Sequence, residues 1–291
     1  MICEMGNHIN NTYLKDTYWI EDEISKLKAA VLPGYGGRIF SVSAEGKEII
    51  FNAPELLGED SLFSGGIPVL FPFSSKTEND TYQFSGKDYY MPKHGFVMDM
   101  PFGIREKSDN SVTLTLKSDD FTKTLYPFEF ELVLNYAISK KTFFISSEIN
   151  NLSTEDMPYY IGWHPFFRTS DKSRLALEMK AEHVLDFIKG GRGLFDKPVD
   201  LSEKLDHVYY PVKGGWRFVN EADGYEVRIR TDELHDVAVV ATIREGCVCV
   251  EPWTGLPNAI NSGERLHWIK PGDSVICGFE MDVLLTDAES E

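Results

Sequence analysis

Apolar and polar residues alternate along much of this chain. Phe128, Phe130, Leu132, Leu134, Tyr136 and Ile138 form the longest period-2 array, and Phe143, Ile145 and Ile149 continue it. Val112, Leu114 and Leu116 alternate just before it. Strict alternation gives each strand two distinct faces, the mark of an antiparallel sheet. Strand-like runs recur at 175–179, 216–219, 225–229, 237–243, 247–250 and 274–285. Turn signals separate them. Glu45-Gly46 joins runs 38–43 and 47–52, and Ser85-Gly86-Lys87 joins 80–84 and 88–91. Helical periodicity is scarce. One short helix is predicted over 119–125, before Tyr126-Pro127. Many strands without helical alternation predict an all-β fold, a sandwich or a barrel. The segment 65–72 holds Pro68 and Pro72, which argues for a cavity-lining loop.

The chain has 291 residues, room for one large all-β domain or two smaller ones. It contains no linker, repeat or low-complexity stretch. One domain over 1–291 is expected, with 1–24 as an N-terminal extension or edge strand and 286–291 as a frayed acidic tail. Hydrophobic residues make up 42%, enough for a sizeable core.

Net charge is −17, with no basic cluster, so nucleic acid and anionic membranes are not expected partners. A neutral small molecule suits this surface better. No apolar run reaches the length of a membrane span, and the first residues do not form a secretory signal. Of the cysteines Cys3, Cys247, Cys249 and Cys277, the middle two should share one face of a strand. A cytoplasmic protein with reduced thiols is expected, as a monomer or weak homodimer.

Three segments carry candidate chemistry. His164 lies in Gly162-Trp163-His164-Pro165-Phe166-Phe167, where proline favours extended backbone and glycine permits close approach. His94 lies in Lys93-His94-Gly95-Phe96, and Glu251 in Cys249-Val250-Glu251-Pro252-Trp253. Read alone, each has a plain explanation: a buried strand-end histidine, a turn histidine, a strand-end carboxylate in water. Together, two histidines, a carboxylate and the indoles of Trp163 and Trp253 suit proton transfer on a polyol. Desolvation should raise the Glu251 pKa, and the aromatic setting should keep that of His164 near neutrality. Such residues can also bind zinc, but neither H-x-H nor H-E-x-x-H occurs, so no metal is expected. There is no G-x-S-x-G hydrolase motif. His8, His183, His207, His235 and His267 have polar or turn surroundings and are expected at the surface.

The order of five segments resembles the aldose 1-epimerase (galactose mutarotase-like) family, nearest its LacX and hexose-6-phosphate mutarotase branch. They are Gly66-Ile67-Pro68-Val69-Leu70-Phe71-Pro72, His94-Gly95-Phe96, Tyr126-Pro127-Phe128, the His164 segment and Glu251-Pro252-Trp253. The resemblance implies a large antiparallel β-sandwich with an open sugar site and a cofactor-free interconversion of α and β anomers. It implies Glu251 as general base, His164 as general acid and His94 as a sugar-binding histidine near the ring oxygen. Lys76, Trp163 and Trp253 are the expected substrate contacts. Relatives in this branch often carry an arginine after the Phe-Pro segment, where Lys76 stands, and another after His-Gly-Phe, where Val97-Met98 follows. Lysine keeps the charge but not the two-pronged geometry. A free aldose is expected as substrate. The alternatives are a hexose 6-phosphate, or sugar binding without turnover.

Overall fold

The strands Phe130–Ser139 and Thr142–Asn151 pair antiparallel in unbroken register, from Phe130 opposite Asn151 to Ser139 opposite Thr142. They sit inside an eight-stranded sheet. Its order is Leu175–Met179, Trp216–Asn220, Tyr225–Thr231, Ser274–Leu285, Thr142–Asn151, Phe130–Ser139, Ser111–Lys117 and Gly103–Ser108. The alternating apolar residues of this sheet point one way. Leu132, Leu134, Tyr136, Phe143, Ile145, Phe279 and Met281 are all buried in one core.

A second sheet supplies the other wall of that core. Its order is Arg192–Leu194, His183–Asp186, Asp206–Tyr210, Val237–Ala241, Cys247–Trp253, Gly162–Trp163 and Val69–Leu70, with Phe166–Arg168 also paired to Cys247–Trp253. Trp163 meets Phe279 edge to face at 5.4 Å, and Phe167 stacks on Phe218 at 5.2 Å, so aromatic contacts join the layers. The architecture is the antiparallel sandwich expected from the alternation. The computed structural model describes residues 12–286. Within them Tyr18–Asp22 forms the edge strand expected in the N-terminal segment, on a four-stranded sheet with Leu27–Leu32, Arg38–Ala44 and Lys47–Glu48. Cys3, His8 and residues 287–291 of the acidic tail lie outside the described residues.

Local chemistry accounts for the turns and the helix. Glu45 and Gly46, and again Ser85 and Gly86, all have left-handed φ. That is the two-residue hairpin geometry that matches strand twist. The helix is Asp120–Leu125, one residue shorter than predicted because Asp119 is its cap. The Asp119 side chain accepts from the Thr122 amide and Thr122 Oγ1 from the Asp119 amide, both at 2.8 Å. Strands His183–Asp186, Arg192–Leu194 and Asp206–Tyr210 were not expected. They lie at one end of the second sheet, where the first two have no fully buried residue and so no clean apolar period. The 65–72 segment also differs from expectation. It forms the buried two-residue edge strand Val69–Leu70 of the second sheet and is not among the residues that line the cleft holding His164 and Glu251.

Candidate active site

Strand register brings the two main candidates together. Gly162 pairs with Trp253 and Phe166 with Cys249, so the same register sets His164 opposite Glu251. Pro165 has no amide hydrogen and interrupts the ladder there. The His164 amide turns away to donate to the Pro68 carbonyl at 3.0 Å. By strand alternation His164 and Phe166 share a face with Cys249, Glu251 and Trp253. This face points away from the core. Ile161, Trp163, Phe167, Val248 and Val250 point into it.

Glu251 Oε1 lies 3.2 Å from His164 Nε2, and the Trp253 indole donates to Glu251 Oε2 at 3.1 Å. The indole can lie so close to the strand because Gly162 has no side chain. A Cβ there would sit 2.4 Å from Trp253 and 2.9 Å from Ser74. His164 stacks on Phe166 at 4.5 Å with the rings 16° apart, which holds its rotamer. Both partners are almost wholly buried. Burial raises the Glu251 pKa well above the usual carboxylate range, only partly opposed by Lys93. Burial also drives His164 well below the usual imidazole value, helped by His94 and Lys93. The expectation for Glu251 agrees with this and that for His164 does not: aromatic packing here excludes water, and desolvation penalises the imidazolium. Both shifts favour a carboxylic acid facing a neutral imidazole. The corresponding ion pair carries the same number of protons, so one proton crossing a single contact interconverts the two states.

His94 stands beside this pair. Its ring meets His164 edge-on at 5.6 Å. Nδ1 lies 2.7 Å from the Ser74 carbonyl, which can only accept, so Nδ1 carries the hydrogen. Nε2 is then a lone-pair acceptor, and it is buried without a partner. Burial, with the Lys93 charge adding, lowers the His94 pKa to about 3. His94 is therefore neutral and accepts hydrogen bonds. It cannot donate to a ring oxygen as Nε2 stands; it can receive a hydroxyl. Its backbone is left-handed, at φ 71°, a strain of order 1–3 kcal/mol for a residue with a side chain.

The three residues line a cleft of about 350 Å³. Its walls include Lys76, Lys93, Asp206, Phe166, Cys249 and Trp253, and the exposed rings of Phe63 and Phe187 stand at its mouth. Buried acceptors, a protonatable pair and apolar ring faces make a site suited to a polyhydroxy ligand.

A family model described as aldose 1-epimerase matches residues 20–275. The chain belongs to the aldose 1-epimerase family. It is 31% identical over 263 residues to plasmid-encoded protein LacX of Lactococcus lactis subsp. lactis, covering 80% of this chain and 86% of that one. Among solved structures it resembles the Slr1438 protein of Synechocystis sp. PCC 6803. There the identity is 30%, the TM-score 0.87, and the coverage 96% of this chain and 100% of that one. A galactose mutarotase related enzyme from Lactobacillus acidophilus has the same fold, with 23% identity, TM-score 0.80 and coverage of 94% and 99%. As an aldose 1-epimerase family member the chain is an isomerase acting on carbohydrate.

Five of the six residues expected in the site line the cleft: Glu251, His164, His94, Trp253 and the exposed Lys76. Trp163 does not. It is fully buried on the core side, against Phe279 and His235, because its side chain is one residue out of phase with that of His164. His235 is itself wholly buried, contrary to the expectation of a surface residue, with Nδ1 2.9 Å from Asp232 Oδ1. His183, His207 and His267 are half-buried. Sequence reasoning missed Asp206, Cys249 and Arg244 as cleft residues. The alternation of Cys249 with Glu251 was signal enough for the first of the pair. Asp206 and Arg244 gave none, since they enter from neighbouring strands and loops. No helix among the described residues is long and apolar enough to cross a membrane.

Proposed function

We propose that this protein interconverts the α and β anomers of a free aldohexose, with Glu251 and His164 moving the protons. The observation that carries this reading is the 3.2 Å contact between them at the floor of the cleft. Ring opening takes a proton from the anomeric hydroxyl and gives one to the ring oxygen. Both oxygens are bonded to the same carbon, so adjacent acid and base serve both. Glu251, as carboxylate, accepts the hydroxyl proton while the His164 imidazolium protonates the ring oxygen. The C1–O5 bond breaks and C1 becomes an aldehyde carbon. Rotation about C1–C2 presents its other face, and reclosure runs the transfers backwards with the roles exchanged. No cofactor enters this sequence.

His94 Nε2 receives a sugar hydroxyl near the ring oxygen. Asp206 and Lys76 take further hydroxyls, and Trp253 and Phe166 pack on C–H faces. A hexose 6-phosphate is the second reading, favoured by Lys76 and Lys93 on the cleft wall. The free sugar ranks first because Asp206 shares that wall and the chain carries −17 overall. The protein acts in the cytoplasm as a monomer or weak homodimer. Three buried, unpaired cysteines, Cys247, Cys249 and Cys277, support a reducing compartment.

Polarimetry of freshly dissolved α-glucose and α-galactose, and NMR of the 6-phosphates, test the reading. The parent protein accelerates equilibration of a free sugar, and Glu251→Gln slows it by about 10²- to 10⁴-fold. Equal rates for parent and variant would remove the mechanism. A sugar-dependent rise in melting temperature without acceleration of any sugar would leave a binding protein instead.

A further inference from the structure

Cys249 has no part in the proton transfers, yet it sits among the groups that perform them. It precedes Glu251 by two residues on the same strand face, and the register places Phe166 opposite it and His164 beside it. One ligand atom from each of His164, Cys249 and Glu251 lies within 4.8 Å of the other two. All three side chains are buried, and all three line the open cleft. Sequence spacing concealed this set. It is assembled from neighbouring strands, with only Cys249 and Glu251 close in the chain.

Thiolate, imidazole and carboxylate are the ligand types of zinc. Ligand atoms around a tetrahedral zinc stand about 3.5 Å apart, so side-chain movements of about an ångström close the set. Three protein ligands leave a fourth position, which here faces the cleft and takes water. We propose that His164, Cys249 and Glu251 form a binding site for a thiophilic divalent cation of the zinc class, and that the bound ion is an inhibitor. On binding, the Cys249 thiol releases its proton to solvent, the His164–Glu251 pair releases the one proton it shares, and the sulfur bonds to the ion. The ion also occupies the imidazole nitrogen and the carboxylate oxygen needed for proton transfer. The inhibition rests on the mutarotase reading above; the binding does not.

Cobalt(II) chloride is the first probe, because a thiolate ligand to cobalt gives a near-ultraviolet charge-transfer band. The parent protein develops that band, zinc chloride displaces it, and Cys249→Ser lacks it while binding zinc more than about 10-fold more weakly. Zinc-edge X-ray absorption of the parent needs no variant and shows one sulfur in the coordination shell. A shell of nitrogen and oxygen only, or zinc affinity unchanged in Cys249→Ser, overturns the site. Zinc slows anomer equilibration and a chelator restores it. If a chelator abolishes activity instead, the ion is a cofactor and the inhibitory role is wrong.

Discussion

The Trp253 indole donates to Glu251 Oε2 at 3.1 Å while Oε1 of the same carboxyl faces His164 at 3.2 Å. One oxygen is anchored and the other is left to exchange a proton. Gly162, paired with Trp253 across the ladder, makes room for the indole. The geometry of the Glu251–His164 pair depends on a residue with no side chain.

Gly162→Ala therefore disturbs the site without touching substrate. The added methyl meets the Trp253 indole at 2.4 Å and the Ser74 Cβ at 2.9 Å, so Trp253 must shift and Glu251 loses its anchor. We expect kcat to fall about 10-fold or more, with a smaller change in KM. Trp253→Phe, which removes the donor and part of the ring face, should reproduce the kcat loss and also raise KM. Steady-state polarimetry on both variants checks this, and an unchanged kcat in both contradicts it.

On the proposed mechanism Glu251 and His164 act as one unit. Glu251→Gln and His164→Asn each lower the rate by about 10²- to 10⁴-fold, and the double variant is little worse than either alone. Additive losses would mean two independent groups. Glu251→Gln should also gain stability over the parent as pH rises above 4.5. The folded pKa of Glu251 is raised, so the parent loses stability as pH climbs toward that pKa, and the amide does not. Melting curves across pH measure this.

The pH profile follows from the same pair. The active form carries one proton. Adding a second protonates His164, which burial opposes, so the acid limb lies well below 6.5. Removing the proton ionises Glu251 beside a neutral ring, so the alkaline limb lies well above 4.5. An exposed pair would hold a single proton only between 4.5 and 6.5. We expect kcat/KM to form a plateau wider than the window of an exposed pair. A narrow bell between those two values would contradict it.

His94 gives the fold an acid weakness. Its pKa is lowered from 6.5 to about 3 in the folded protein. Across that window the unfolded chain binds more protons, so stability is present above 6.5 and lost as pH falls toward 3. His94→Gln should flatten the fall in melting temperature below pH 6.5, and raise KM by removing the acceptor for a sugar hydroxyl. A parallel fall in both proteins would show that other groups dominate.

Trp163 and Trp253 separate structure from function. Trp163→Ala leaves a large void between the sheets and costs about 3–5 kcal/mol of stability. Trp163→Phe keeps most of the apolar volume and should retain KM and kcat. Denaturant unfolding and kinetics together distinguish this from a direct sugar contact.

Much of this was legible in the chain. The period-2 arrays and strand-like runs gave all the strands of the first sheet but Gly103–Ser108, the Glu45-Gly46 and Ser85-Gly86 pairs gave two separate hairpins, and the run before Tyr126-Pro127 gave the short helix. His94, His164 and Glu251 stood out because each interrupts an apolar run beside Pro, Gly or an aromatic ring. Trp163 was misread for a reason the same periodicity contains: neighbours on a strand face opposite sides. The strands between 183 and 210 escaped because edge strands with half-wet faces carry no clean period, and Asp206 was lost with them.

The sequence by itself determined the all-β class, the alternation that builds the core, and the residue types available for acid–base chemistry. Local preferences act over a few residues, and those features are local. Only the tertiary structure decided that His164 lies opposite Glu251, that Cys249 is gathered beside them, and that the imidazole pKa is driven well below its usual value. These depend on strand register and on how deeply each group is withdrawn from water. Both are set by packing between segments about 90 residues apart in the chain.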